Sequence, residues 1–312
     1  MPTHIREDSL DIRTIRATRN GREVEAGIQP GCGGNLVSFK VDGQEYLHYD
    51  REALLDTERL FTGCFVMFPT PCRVPDGTYT FEGRKIIQTK RGEIQTIHGL
   101  VRDEPFEADF AEDRATLWLD ITPDSPVYEG YPFESRLGLT LRCIEGGIEY
   151  GFCFENRGDA PAPVGFGLHP FWKVPGRRED VTVTIPCEKI MTLENLIPTG
   201  ETQSVAGTEL DLRHGRRLSE MEMDAVFLDR IGGAAPATIE YRDRGTKLSL
   251  HADALFTHQV AYSPAGKTFA CVEYLTCSPN QVNLQHIPEA GHRVVESGGK
   301  LAAAVRFVVE DL

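Results

Sequence analysis

The sequence predicts an all-β fold, a sandwich or a barrel. Apolar residues recur two apart in many short runs, and Gly, Asp and Pro punctuate the gaps between them. Helical periodicity is weak, so few elements compete with strands. Residues 35–41 alternate through Leu36, Ser38, Phe39 and Val41 before an Asp42-Gly43 turn. Residues 78–81 lie between Asp76-Gly77 and Glu82-Gly83, and residues 115–121 read A-T-L-W-L-D-I. Residues 137–143 and 148–154 flank Gly146-Gly147, a strong hairpin signal. Later strand runs are 181–185, 238–241, 247–250, 269–274 and 301–309. Residues 51–60 and 217–223 are the best helix candidates. No linker, low-complexity segment or fixed-period repeat divides the chain, which predicts one domain over 1–312.

The 312 residues carry 33 Lys plus Arg against 47 Asp plus Glu, a formal charge of −14. That balance opposes nucleic acid, which needs a basic face, and anionic membranes. The eight cysteines form no C-x-x-C pair, and a chain of this length needs no disulfide framework. The first twenty residues are charged throughout, unlike a signal peptide. Residues 160–172 are uncharged but hold three prolines, too broken to span a bilayer. The expectation is a reduced, cytoplasmic protein.

Three features could carry chemistry. His98, in Ile97-His98-Gly99, ends a strand-like run and could point into a cleft; it also reads as a surface histidine bonded to a carbonyl. His169, in G-F-G-L-H-P-F-W, sits among glycines and aromatics, and Pro170 holds it extended. Aromatic faces beside polar groups suit sugar rings, and Trp172 is the candidate stacking surface. The same stretch equally describes a core strand. Glu273 is a carboxylate inside F-A-C-V-E-Y-L, costly there unless paired or functional, although alternation could also turn it outward. Asp224 is a weaker instance of the same kind. Arg73 stands in a loop fixed by Pro71 and Pro75. No phosphate loop, G-x-S-x-G elbow or H-x-x-x-H spacing occurs. A metal held by His98, His169 and Glu273 would need the fold to gather them.

In this order, these pieces resemble the aldose 1-epimerase (mutarotase) family. The likeness runs from G-C-G-G-N-L-V-S-F at 31–39, through F-P-T-P-C-R-V-P-D-G at 68–77, I-H-G at 97–99 and Y-P-F at 131–133, to G-L-H-P-F-W at 167–172. L-I-P-T-G at 196–200 and C-V-E-Y-L-T-C-S-P-N-Q-V-N at 271–283 complete it. The resemblance implies a large twisted β-sandwich of the galactose mutarotase-like supersandwich type, with a cleft across one sheet. It implies Glu273 as general base, His169 as general acid, His98 near the sugar's ring oxygen, and Arg73 and Asp224 on sugar hydroxyls.

That chemistry suits these residue types. Interconverting anomers takes a proton from the anomeric hydroxyl and delivers one to the ring oxygen, with no metal, nucleotide or hydride carrier required. A carboxylate and an imidazolium on opposite sides of the ring would serve, with neighbouring acids holding His169 protonated. The expected pH profile is bell-shaped; a rate flat from about pH 4 to 9 would sink the scheme. The sequence departs from galactose-type members at Leu100, Arg102, Cys72, Trp172-Lys173 and Tyr274, which leaves the sugar open. Arg73 and Arg102 could bind a phosphate or other acidic group; equally, Arg102 could pair with Asp103 or Glu104. A non-catalytic sugar-binding protein and a metal-dependent sugar isomerase are the competing classes.

Overall fold

Tight turns join the alternating runs into antiparallel strands throughout the computed structural model, which describes residues 10–55 and 62–312. The Gly146-Gly147 signal is realised as a long hairpin, with Ser135–Ile144 and Gly147–Asn156 paired along their whole length. The 51–60 helix reading yields a short helix, Arg51–Leu55, and its remainder lies outside the described residues. The 217–223 reading yields only a single 3-10 turn, Leu218–Glu220, because Arg216–Arg217 and Met223–Arg230 are drawn into strands on either side. No described helix is long and apolar enough to cross a membrane.

Two large sheets hold most of the strands. The nine-stranded sheet runs Glu107–Phe110, Arg114–Ile121, Ser135–Ile144, Gly147–Asn156, Lys300–Asp311, Thr246–Ala252, Ala237–Tyr241, Val181–Thr184 and Arg216–Arg217. The twelve-stranded sheet runs Arg13–Arg19, Arg22–Gln29, Asn35–Val41, Cys64–Met67, Gly167–Pro170, Phe269–Leu275, His258–Ser263, Met223–Arg230, Cys187–Glu194 and Ile197–Ser204, with two short strands paired at its side. Among the described residues every strand pairing within both sheets is antiparallel. The three central neighbours of the larger sheet therefore come from distant parts of the chain.

The sheets stack face to face, as a sandwich does. The core between them takes Phe39, Val66, Leu168, Val272 and Ala261 from the larger sheet and Leu117, Leu139, Phe152, Leu248 and Val305 from the smaller. Period-two alternation sends the intervening residues of the larger sheet to its opposite face. There Phe65, Met67, Phe171, Val260, Cys271 and Leu275 form a second apolar cluster. All seven residues of Phe269–Leu275 are buried, so both faces of this strand are covered.

Candidate active site

Register builds the centre of the second face. Gly167 pairs with Leu275 and Leu168 with Tyr274; further along, Trp172 pairs with Ala270 and Lys173 with Phe269. The same register, carried between those pairs, sets His169 opposite Glu273. Directly opposed residues bring their Cβ atoms to about 4.5–5.5 Å, close enough for the side chains to meet. His169 Nε2 lies 3.3 Å from Glu273 Oε1. The row continues across the sheet, with Phe65 opposite His169, Val260 opposite Glu273 and Val226 opposite Val260.

The imidazole of His169 is held between two aromatic rings. Phe65 stacks on it at 4.7 Å and Phe171 at 4.6 Å between ring centroids. This fixes the ring plane without a hydrogen bond to Nδ1, which has no partner among the described residues; Glu273 Oε2 has none there either. Glu273 is only 1% exposed and His169 6%. Buried polar atoms without partners are expensive, and such vacancies call for an explanation.

Two loops close together bring in His98 and Arg73. The His98 amide donates to the Cys72 carbonyl at 2.8 Å, the Val74 amide to Thr96 and the Leu100 amide to Phe68. Between them Arg73 bridges Ile97. Gly99 sits at φ +70°, where a Cβ would stand 2.2 Å from the Phe68 carbonyl oxygen, so only glycine allows this approach. His98 itself adopts φ +63°, a strained conformation for a residue with a side chain. Its ring stands edge-on to His169 at 5.0 Å, with Nδ1 3.0 Å from Met67 Sδ.

The rim is more open than the floor. Arg73 forms an ion pair with Asp224 at 3.5 Å, their side chains 36% and 27% exposed. Asp224 lies opposite Tyr262, which in turn lies opposite Cys271. The Arg102 charge lowers the pKa values of both His98 and His169. Asp103 and Glu104 are ion-paired with the buried Lys90, and Arg91 holds Glu104 at 2.5 and 2.8 Å.

Electrostatics on the floor follow from burial. Burial pushes the His169 pKa down to about 3. It pushes Glu273 well above the usual carboxylate range, with Asp224 adding to the rise and Arg73 opposing it. His98 is pushed well down, by burial first and then by His169, Arg102 and Arg73. Asp224 is raised by burial against the pull of Arg73.

The structure thus brings Glu273, His169 and His98 together on the floor and Arg73 with Asp224 on the rim. It corrects three expectations. Trp172 lies on the other face, fully buried, its indole N–H on the Val272 carbonyl at 3.3 Å and its ring edge-on to Phe307 in the inter-sheet core. Alternation is the reason: His169 and Phe171 face the cleft, and Trp172 is one residue out of step. His169 is not held protonated by nearby acids: burial drives its pKa down and the Arg102 charge adds to that. And Glu273 and His169 stand side by side in contact, not apart with room for a ring between them. Phe65, Tyr262 and Cys271 were not singled out in the sequence; Cys271 alone carried a signal, its two-residue spacing from Glu273 on one strand. Cys271, not His98, completes a group of possible metal donors with His169 and Glu273, all within 4.8 Å of one another.

Such an arrangement can move a proton within a dry site and bind hydroxyls at its rim. Residues 17–307 match the family described as aldose 1-epimerase. The chain belongs to that family. An uncharacterised Escherichia coli protein, YihR, is 22% identical over 223 residues, 70% of this chain and 71% of that protein. The galactose mutarotase of Sus scrofa is 28% identical over 163 residues, 49% of this chain and 46% of that enzyme, so the match spans about half its length. Among solved structures, a galactose mutarotase-like protein from Clostridium acetobutylicum superposes with a TM-score of 0.81 at 19% identity, covering 97% of this chain and 99% of that one. At that identity the likeness is one of fold. Family membership supports a mutarotase-type sugar epimerase.

Proposed function

We propose that the protein interconverts the α and β anomers of a hexose by general acid–base ring opening. Glu273 takes the proton of the anomeric hydroxyl, and His169 delivers one to the ring oxygen. The observation that carries this reading is the buried contact between the two groups, each with an unpartnered polar atom left on the floor of the cleft. The two reacting oxygens of a hemiacetal are bonded to the same carbon. Two groups side by side can therefore address both from one flank of the ring. Burial opposes charge on either group, so the free pair holds one proton, on the carboxyl side. Hydroxyls of the sugar donating to the carboxylate favour its ionised form and move that proton to His169. Arg73 and Asp224 bind hydroxyls at the rim, and His98 faces the ring-oxygen end. The neutral hexose is the first substrate class.

A second reading, an anionic hexose such as a hexose 6-phosphate, rests on one observation. Arg73 and Arg102 both impose positive potential on His98. Guanidinium groups suit phosphate or carboxylate oxygens.

Exchange NMR on glucose, galactose and glucose 6-phosphate, with the parent protein beside Glu273→Gln, tests both. Acceleration by the parent and its loss in the variant is the expected result. A preference for the phosphate that disappears in Arg102→Met selects the anionic substrate. Measurable sugar binding with no acceleration on any of the three would overturn the catalytic reading in favour of a sugar-binding protein on this fold.

A further inference from the structure

We propose that His169, Cys271 and Glu273 form a reversible site for a thiophilic divalent cation, Zn²⁺ being the type, and that its occupation blocks the His169–Glu273 pair. The block rests on the acid–base reading above; the metal site does not.

Three features of the floor point to a cation. Cys271 and Glu273 lie two apart on one strand and so share a face, and register sets His169 across from Glu273. One nitrogen, one sulfur and one carboxylate oxygen converge within 4.8 Å of one another. Zinc bonds of about 2.0–2.3 Å place tetrahedral donors roughly 3.3–3.8 Å apart. His169 Nε2 and Glu273 Oε1 already meet that at 3.3 Å, and the Cys271 sulfur, within 4.8 Å, has to close by at most about 1.5 Å.

The second observation is the open valence. Glu273 Oε2 is buried and has no partner among the described residues, so the carboxylate has an unspent acceptor on the floor. A thiolate with an imidazole selects zinc-like ions over magnesium or calcium. Three protein donors leave a fourth position for water or a sugar oxygen.

The surroundings argue for a reversible site. Permanent zinc histidines usually donate their second ring nitrogen to a carboxylate or carbonyl. His169 Nδ1 has no such partner among the described residues; stacking between Phe65 and Phe171 holds the ring plane instead. The ligand is pre-positioned but lacks the outer support of a resident metal. Binding releases two protons to solvent, the thiol proton of Cys271 and the one held by the Glu273–His169 pair, and the ion then occupies the lone pairs that the reaction requires.

Equilibrium dialysis of the full chain against ZnCl₂ tests the site, with CoCl₂ as a spectroscopic probe. The expected result is one ion per chain, a thiolate-to-cobalt charge-transfer band, and a rise in thermal midpoint with metal. Cys271→Ser should abolish the band and weaken retention at least tenfold, since outer partners alone are worth about 10–100-fold. Cys271→Ala serves if the serine variant is poorly folded. No retained ion, or equal affinity and an unchanged band in both Cys271 variants, overturns the site. Anomer exchange should fall with Zn²⁺, return with EDTA, and resist the same dose in Cys271→Ser. Exchange unaffected at saturating metal overturns the block. A Cys271-dependent site in a protein that exchanges no sugar supports the metal site and rejects the acid–base reading instead.

Discussion

The strand Phe269–Leu275 is buried on both faces, yet its two faces differ in how polar groups are treated. On the core side Tyr274 is fully used: its hydroxyl donates to the Leu250 carbonyl at 2.7 Å and accepts from the Ala237 amide at 3.2 Å. On the cleft side its neighbour Glu273 contacts His169 through one oxygen and leaves the other without a partner among the described residues. Trp172 and His169 repeat the contrast on the adjacent strand, the indole N–H bonded and the imidazole Nδ1 not. Burial is the same on the two sides, so burial does not mark the site. Isolated unpartnered hydroxyls, those of Tyr150 and Tyr241, occur in the inter-sheet core too; what marks the site is unmet hydrogen-bonding capacity on two ionisable groups in contact.

The largest effect expected from this contrast is on rate. Glu273→Gln should lower anomer exchange by about 10²–10⁴-fold, the usual worth of a positioned acid or base. It should leave the thermal midpoint unchanged or higher, because a buried ionisable group is removed. A drop in stability with activity retained would place Glu273 among structural residues. Trp172→Ala should do the reverse, costing about 3–5 kcal/mol in urea unfolding through the cavity it leaves. In the gentler Trp172→Phe, KM should stay near the parent value. A large rise in KM without loss of stability would put the indole back at the sugar.

A third buried group, intermediate between the two kinds, sharpens the comparison through pH. His258 lies opposite Leu275; Nδ1 meets Thr257 Oγ1 at 2.9 Å, and Nε2 has no partner. Burial lowers its pKa to about 4, from 6.5 for an imidazole in water. Between those values the unfolded chain binds the extra proton and the native one does not. The stability tied to the neutral ring is therefore complete above pH 6.5 and is lost as pH falls toward 4, by up to about 3 kcal/mol. Urea titrations at several pH values should show that slope in the parent and a shallower one in His258→Gln. Equal slopes would show that the acid sensitivity lies in other groups.

Strand positions were legible in the sequence because alternation and turn residues are local. The Gly146-Gly147 hairpin and the strand holding Glu273 follow from them directly. The facing of that strand was not legible. With both sides covered, every residue of Phe269–Leu275 is buried, and the contrast that normally assigns a face is absent. The same ambiguity put Trp172 in the cleft when Phe171, one step earlier, lines it. The partnership of His169 with Glu273 depends on a register between segments about a hundred residues apart, which no local pattern encodes. His98 and Arg73 were visible as residues, but their meeting needed the closure of two loops around Gly99.

The smallest expected effect tests the core side of the contrast. Tyr274→Phe removes one hydroxyl and leaves the ring in place. The Leu250 carbonyl and the Ala237 amide lose their partner in a buried setting. Each such loss costs roughly 1–3 kcal/mol when no water replaces it. The two groups are adjacent, so one water could serve both, and about 1–2 kcal/mol is the expected net loss. Activity should remain within a small factor of the parent, although Tyr274 and Glu273 are neighbours in the chain, because the side chains lie on opposite faces of the sheet. A rate loss comparable to that of Glu273→Gln would mean that the hydroxyl holds the strand in the register on which the His169 contact depends. The two faces would then be coupled through the backbone, not merely opposed.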